Sequence, residues 1–488
     1  QWELHEFDSR YHRTEVTNNR TGRAYLGFDK TENLTSEGYF TYLKEFKGGH
    51  NLNAVAGYSF FETNGENFNM TNYNFQVEGV KFWDIGKGSY LTDGKAAMSS
   101  AKDITERLFA LYARANYSYN DKYMVSATIR HEGSSKFAAE NRWGNFWSIG
   151  AGWLMNKEAF LENQKWIDML KFKISYGLQG NDNLMYEGGL YRNYYPYMDQ
   201  YTLANSNGDF STSLYYKGNP DITWETSHSF NTGFDFTFWG GKLSGAVEYF
   251  SRKTTDMLYF KPVSPSMGYS RFPENVGSMV NRGVELDLNS NIINTKDFTW
   301  DINFNLTHFK NKVLELAPEL NGQLIDGGRI YREGESMYQL YLPKYAGVNP
   351  ETGESQWALT EPNAAGETVT TSYSEASSNR FATGDILPKV YGGFGTSLTF
   401  HGFDFSIAFT IKSKASSCDC KLGAKPPSSP TAVDKFLDFF LKHILLLVNM
   451  LASFLFLLVY PDLLLLQLFR ILHHIYFLMI LVQNLEFP

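Results

Sequence analysis

The stretch Ser227–Arg252, with the sequence SHSFNTGFDFTFWGGKLSGAVEYFSR, decides the fold. Its first arm alternates strictly between large apolar and small polar side chains from Phe230 to Phe238. A period of two is the period of a pleated strand, whose successive side chains point to opposite faces. The second arm alternates from Leu243 onward, and Gly240-Gly241 between the arms is suited to the positive φ values of a two-residue hairpin turn. The stretch therefore predicts a hairpin with one apolar and one polar face.

The same hairpin unit recurs along the chain, with short and long connections in alternation. Short turns are expected at Gly48-Gly49, Asn120–Lys122, the segment between 292 and 298, and His401-Gly402. Long loops are expected at 62–104, 177–224, 253–281 and 313–387. We count about twelve strands, many of about ten residues, as in outer-membrane barrels with periplasmic turns and long external loops. A soluble β-sandwich, the alternative, has shorter strands and no such asymmetry.

The composition favours the same class. A mean hydropathy of -0.34 accompanies 16% aromatic residues, including 39 Phe and 31 Tyr. In a membrane barrel only alternate residues face lipid and aromatic residues crowd both interfaces, which keeps the mean hydropathy low. The net charge of -8 argues against nucleic acid as a partner. The chain opens at Gln1 without an initiator Met or a secretory leader, so either a signal was removed or the start is missing.

The last part of the chain has a different character. Residues 412–430 are rich in Ser, Lys and Pro, and residues 436–482 are rich in Leu, Phe and Ile without alternation. The spans His443–Tyr460 and Leu463–Val482 approach the length of a membrane helix. We expect an aberrant apolar tail that is helical or disordered. Strongly apolar helices tend to be retained at the inner membrane, so two such spans do not fit a chain sent to the outer membrane. Our hypothesis is that residues 412–488 come from out-of-frame translation.

Several motifs within residues 36–411 resemble the SusC/RagA family of TonB-dependent outer-membrane receptors. They are RANYSYNDK at 114–122, HEGSSKF at 131–137, FWSIGAGW at 146–153, LKFKISYGLQGN at 170–181, GNPDITWET at 218–226, NVGSMVNRGVE at 275–285, YAGVNPETGESQW at 345–357 and LPKVYGG at 387–393. The resemblance implies a 22-stranded barrel filled by an N-terminal plug, preceded by a TonB box and capped by a SusD-like surface lipoprotein. Residues 1–411 would then be a partial barrel that lacks the plug and the closing strands.

The same resemblance implies a function for the intact parent. It would import glycan oligomers or peptides, driven by the TonB complex, which acts through the missing N-terminal part. The alternatives are a passive adhesin or structural barrel of the outer membrane and a soluble carbohydrate-binding sandwich. In a barrel, we expect the Gly240-Gly241 turn to be periplasmic, the Phe face to meet lipid, and Asp235, Glu248 and Arg252 to face the lumen.

The best candidate for ligand binding is an external aromatic segment. Its tyrosines are Tyr191, Tyr194, Tyr195, Tyr197 and Tyr201. Aromatic faces stack on sugar rings, and phenol groups bond polar ligand atoms. Packing of the loop, or contact with the lid lipoprotein, is the alternative interpretation of the same residues.

Enzymatic and metal-binding interpretations find little support in the sequence. The ten histidines are scattered, and no phosphate loop or Ser/His/Asp spacing is present, so we expect neither catalysis nor a cofactor. Glu285 and Asp287 share the polar face of one strand and are expected to line the lumen. Cys418 and Cys420 lack partner ligands, and Asn205, Asn207 and Asp209 lack the full calcium pattern, so no metal site is expected.

Overall fold

The computed structural model describes residues 2–3, 23–73, 82–88, 97–184, 193–206, 209–269 and 271–413. The strands are β1 Trp2–Glu3, β2 Arg23–Phe46, β3 His50–Tyr73, β4 Ala97–Tyr119, β5 Tyr123–Ser134, β6 Trp143–Leu154, β7 Ile167–Asn181, β8 Gln200–Ser206, β9 Asp209–Tyr216, β10 Glu225–Phe238, β11 Leu243–Thr255, β12 Leu258–Pro262, β13 Arg271–Asn275, β14 Ser278–Asn294, β15 Phe298–Glu315, β16 Gln323–Asp326, β17 Arg329–Arg332, β18 Gln339–Pro343, β19 Tyr345–Val348, β20 Ser355–Ala358, β21 Val369–Thr370, β22 Arg380–Asp385, β23 Val390–Phe400 and β24 Phe403–Lys412. The helical segments are α1 Tyr373–Ser378 and single 3₁₀ turns at Phe82–Lys87, Met155–Lys157, Pro265–Met267 and Pro318–Leu320. No helix among these residues is long and apolar enough to span a membrane.

One large antiparallel sheet dominates the chain. Its 13 strands follow the order β1-β2-β3-β4-β5-β6-β7-β10-β11-β14-β15-β23-β24, so that each strand pairs with the one before it in this series. Twelve of them are long, which confirms the number of strands expected from the sequence. In the part of the sheet that the structure describes, β1 and β24 form the two edges. The expected all-β architecture is confirmed.

Short turns and long connections lie at opposite ends of this sheet. At one end the β2–β3, β4–β5, β10–β11, β14–β15 and β23–β24 turns have two to four residues each, and the β6–β7 connection has 12. At the other end the β5–β6 connection has 8 residues, and the remaining links between long strands, such as 182–224 and 316–389, are much longer. We call the two ends of the sheet the short-turn end and the long-connection end. This asymmetry is the one that outer-membrane barrels show between their periplasmic and external sides.

The two faces of the large sheet differ as the opening hairpin predicts. On one face, which we call the apolar face, large apolar side chains remain exposed. They include Tyr58, Leu111, Tyr123, Val125, Ile129, Trp147, Ile149, Ile174, Tyr176, Phe234, Val247, Tyr249 and Val284. The opposite face, the polar face, carries Asp235 and Glu248. A bilayer covers the apolar face in a transmembrane barrel.

Two strands extend well beyond their expected ends, which corrects the long loop expected at 62–104. Strand β3 continues to Tyr73 and β4 begins at Ala97, and they pair residue by residue except at one irregularity near Gly65. Cross-strand bonds between polar side chains support the extension, for example from Ser99 Oγ to Asn69 Oδ1 at 2.9 Å. Paired strands that extend outside the membrane do not need an apolar face. This part of the sequence therefore lacks the alternation of apolar and polar residues.

The turn of the opening hairpin is wider than the expected two residues. Phe238 pairs with Leu243, so four residues form the loop, and Trp239 has a positive φ of 55° together with both glycines. The carboxylate of Asp168 accepts hydrogen bonds from the amides of Gly240 at 2.6 Å and Gly241 at 3.1 Å. The start of the neighbouring strand β7 therefore holds the wider loop through Asp168, and a two-residue turn would forgo these bonds.

The other expected long loops contain structure of their own. The β7–β10 connection holds the β8–β9 hairpin, the β11–β14 connection holds the β12–β13 hairpin, and the β15–β23 connection holds two small sheets. Of the described residues, those up to 324, 331–337 and 392–410 belong to one compact unit, and 325–330, 338–391 and 411–413 belong to a second. The tail at 414–488 lies outside the described residues.

Candidate functional site

A small apolar cluster anchors the connections at the long-connection end. It consists of Phe137, Phe146, Leu184, Ile222 and Trp224. The ring of Trp224 lies 5.2 Å from that of Phe137 and 5.3 Å from that of Phe146, measured between centroids. Because these side chains come from β6 and from two different connections, their burial ties the bases of those connections together.

A buried ionic cluster lies next to this apolar cluster in the chain. The ammonium of Lys136, a residue only 1% exposed, is 2.6 Å from Glu106 Oε1 and 3.2 Å from Asp182 Oδ1. The hydroxyl of Ser134 donates to the other oxygen of Asp182 at 2.6 Å. Burial of one cation with two carboxylates is tolerated because each carboxylate has a partner. The cluster links β4, the β5–β6 connection and the end of β7.

A polar cleft of about 480 Å³ opens beside the ionic cluster. Its lining includes Glu106, Lys136, Asp182, Asn183 and Tyr194. The Oδ1 atom of Asn183 is buried there and has no hydrogen-bond partner. The unpartnered oxygen of Asn183 and the two carboxylates can accept hydrogen bonds, so the lining suits a ligand that presents hydroxyl or amino groups.

The structure distributes the predicted tyrosines over different surroundings. Tyr194 lines the cleft, and Tyr197 packs against the apolar cluster. Tyr195 is half-buried and its carbonyl accepts a hydrogen bond from the amide of Met198 at 3.1 Å. Tyr201 is 63% exposed. Tyr191 lies outside the described residues.

Asp199 fixes the base of the β8–β9 hairpin. Its carboxylate accepts hydrogen bonds from the Lys217 ammonium at 2.8 Å and from the Gly218 amide at 2.9 Å. The hydrogen bond from Lys217, followed by that from Gly218, holds the pKa of Asp199 below its usual value. The same contact raises the pKa of Lys217, so both groups are charged at neutral pH.

The β8–β9 hairpin presents an exposed apolar face. Register places Tyr201 and Leu203 on the same side as Phe210 and Leu214, and Phe210 is 66% exposed. Within the described residues this hairpin forms a separate two-stranded sheet. A two-stranded hairpin is marginally stable in water, and exposed apolar patches on connections mark contact surfaces.

The polar face of the large sheet carries an ionic network. Lys173 lies 2.9 Å from both Asp235 and Glu248, which confirms that these residues of the opening hairpin share one face. Glu285, directly opposite Glu248, and Asp287 are exposed on the same face. These groups offer a hydrated, charged wall to polar solutes.

Groups suited to metal binding do not assemble in the described residues. No cluster of three or more His, Cys, Asp and Glu side chains forms there. Cys418, Cys420 and Asn207 fall outside the described residues.

Sequence reasoning missed the ionic cluster and the β8–β9 hairpin. Glu106, Lys136 and Asp182 are too far apart in sequence for any spacing rule to connect them. The hairpin did have a signal: Tyr201 and Leu203, followed by Asn207-Gly208 and then Phe210, form an alternation around a turn dipeptide.

Comparison with known families gives one extensive match. The family model described as "TonB dependent receptor-like, beta-barrel" matches residues 1–416. The match therefore covers the whole of the large sheet.

Individual relatives are similar over part of their own length. A TonB-dependent receptor of Formosa agariphila is 32% identical over 314 residues, which are 64% of this chain and 29% of that protein. The TonB-dependent receptor SusC of Bacteroides thetaiotaomicron is 29% identical over 67% of this chain and 32% of its own length. The RagAB peptide transporter structure superposes with a TM-score of 0.64 at 26% identity, covering 80% of this chain and 41% of that one. The chain thus spans about a third of the length of the curated relatives.

Proposed function

Because the chain belongs to the TonB-dependent receptor-like β-barrel family of the outer membrane, we propose that its intact parent imports oligomeric nutrients, either glycan oligosaccharides or peptides. The family consists of transporters and receptors rather than enzymes. One observation carries the proposal for this chain. The large sheet has a continuous polar face for the path of a hydrated solute and an exposed apolar face for lipid.

Two protein partners belong to the proposal. The first is a SusD-like surface lipoprotein, which the resemblance to the SusC/RagA family implies, and the apolar face of the β8–β9 hairpin is the surface we assign to it. Burial of Tyr201 and Phe210 in that contact would remove exposed apolar area from water. The second partner is the TonB complex, which would act through the N-terminal part of the parent.

We propose that two of the predicted tyrosines are available to a ligand. Tyr194 borders the polar cleft, and Tyr201 is exposed on the hairpin. We assign ligand contact to Tyr194 and leave Tyr201 to either ligand or lipoprotein. Tyr197 supports the connection from within its apolar packing.

An uptake measurement tests the proposal against the alternative of a passive adhesin. Cells that express the intact parent are given fluorescent oligosaccharides or peptides, with and without a functional TonB gene. Import predicts accumulation inside the cell that disappears without TonB, whereas an adhesin predicts surface binding of equal extent in both strains. TonB-independent surface binding without accumulation contradicts the proposal.

The division of the chain at residue 411 is also a proposal. We infer that the tail beyond β24, which ends at Lys412, does not belong to the mature barrel, because its composition lacks the alternation of the preceding strands. Peptide mapping by mass spectrometry of protein from the native outer membrane should find peptides up to about residue 411 and none from the tail. Recovery of tail peptides from that membrane contradicts the inference.

A further inference from the structure

Four cations form a patch on the apolar face at the long-connection end. They are Lys253, Arg282, Lys310 and Lys312, and all are exposed. Register places Arg282 directly opposite Lys310, and places Lys253 and Lys312 on the two sides of Val280. The contact from Arg282 Nε to Ser251 Oγ at 3.3 Å agrees with this placement on one face.

The four charges lack compensation from the described part of the protein. No carboxylate in that part forms an ion pair with Lys253, Arg282, Lys310 or Lys312. Like charges directly opposite each other on neighbouring strands are destabilising. Anions bound from outside the described protein would offset this repulsion.

The height of the patch along the strands matches the edge of a bilayer. On β15 the apolar face runs through nine residues from Phe298 to Leu306, and Lys310 and Lys312 follow. A transmembrane strand needs about nine to eleven residues to cross the hydrocarbon layer. Val284 and Tyr249 are exposed immediately below the patch, on the side toward the short turns. Acyl chains would lie against these two residues, and the headgroups would meet the cations.

We propose that this cationic patch binds the phosphate groups of membrane lipids. Neighbouring cross-strand positions lie about 5 Å apart, and same-face positions along a strand lie about 7 Å apart. A phosphate can thus contact two cations at once, and an arginine with lysines is a suitable donor set for phosphate oxygens. The adjoining apolar surface selects a phosphate that is attached to acyl chains over free phosphate.

Retention of lipid by the purified chain tests the proposal. The 488-residue protein is incubated in mild detergent with equal amounts of phosphatidic acid, phosphatidylcholine and diacylglycerol, and native mass spectrometry counts the bound lipid. We expect phosphatidic acid to be retained preferentially. Substitution of all four cations by glutamine should lower that retention about tenfold or more, since each surface cation contributes appreciably to binding of anionic headgroups. A salt increase from about 0.05 M to 0.5 M should lower it too.

A matched variant separates the effect of the patch on lipid retention from the effect of removing four positive charges elsewhere on the protein. Lys157, Lys165, Lys242 and Lys296 are exposed in short turns, and their substitution by glutamine removes the same charge. An equal loss of retention in both variants would overturn the proposal, as would the absence of any preference for phosphatidic acid. Displacement of the lipid by millimolar inorganic phosphate would refute the lipid assignment. The variant with K253R, K310R and K312R keeps the charges and should keep the binding, and circular dichroism checks that each variant is folded.

Discussion

Lys136→Met should loosen the connections at the long-connection end while it leaves the large sheet intact. The substitution removes an ammonium that lies 2.6 Å from Glu106 and 3.2 Å from Asp182. The methionine fills similar volume, so the main loss is electrostatic. Two carboxylates with exposed fractions of 8% and 15% then remain without their cation.

The expected cost follows from the burial of this cluster. Removal of one partner from a buried ion pair costs about 3–5 kcal/mol, because the remaining charge stays uncompensated. Each 1.4 kcal/mol changes an equilibrium constant about tenfold, so the equilibrium constant for local opening should rise about 10²- to 10⁴-fold. Lys122→Met is the matched control: its ion pair with Glu158 is longer, at 3.4 Å, and the lysine side chain is 29% exposed. Loss of such a pair costs about 1 kcal/mol or less.

Hydrogen exchange measures this opening directly. The amide of Ser135, which donates to the carbonyl of Arg107 at 2.9 Å, should exchange faster by the factor above. Amides within the β10–β11 ladder should not change. Addition of Glu106→Gln and Asp182→Asn to Lys136→Met neutralises the cluster and should recover at least half of the loss. Equal effects of the Lys136 and Lys122 substitutions, or no recovery in the triple variant, would refute the reasoning.

Three further predictions concern the β8–β9 hairpin, the large sheet and the predicted tyrosines. The Asp199 carboxylate is ionised and keeps its hydrogen bonds above its ordinary pKa of 3.8, and it loses them as the pH falls through its lowered pKa in the folded protein. Proteolysis of the β8–β9 hairpin should therefore accelerate in acid. Asp199→Asn should accelerate proteolysis at pH 7 and remove the pH dependence. In Gly233→Ala the new methyl group would overlap a backbone carbonyl of the paired strand, and denaturant titration should show a loss of about 1–3 kcal/mol. Gly152→Ala is the control, because its methyl group would meet only the end of a lysine side chain at 3.2 Å and should be nearly neutral. Tyr201→Ala should weaken binding of ligand or lipoprotein about three- to tenfold in a pull-down titration without loss of stability, and Tyr197→Ala should lower stability instead.

The sheet was largely predictable because a membrane imposes a period on the sequence. Phe230 to Phe238 must alternate where one face meets lipid and the other meets water, and the same constraint applies to each long strand. Where the strands leave that environment the constraint ends. Residues 62–73 continue the ladder with one irregularity near Gly65, yet they show no alternation, because backbone pairing alone leaves no mark in composition.

The candidate site was less predictable because its contacts join distant residues. The predicted tyrosines form one run in the sequence, but Tyr197 turns toward the apolar cluster and Tyr201 stands on the hairpin. A run of like residues does not state which side each one faces unless the secondary structure is known. Lys136 similarly depends on partners 30 and 46 residues away, and only the pairing of β4 with β5 and of β6 with β7 brings them near.

The alternation of short turns with long connections has a consequence for how such proteins diversify. Each long connection leaves one strand and enters its immediate neighbour in the sheet, as the connection from β15 to β23 does. A change in the length or content of one connection therefore alters no strand register elsewhere, because loop length adds little free energy and the ladder on either side is complete. Each connection can therefore be replaced as a unit, in evolution or by design. Such a replacement changes what the protein recognises while the membrane-spanning strands stay the same.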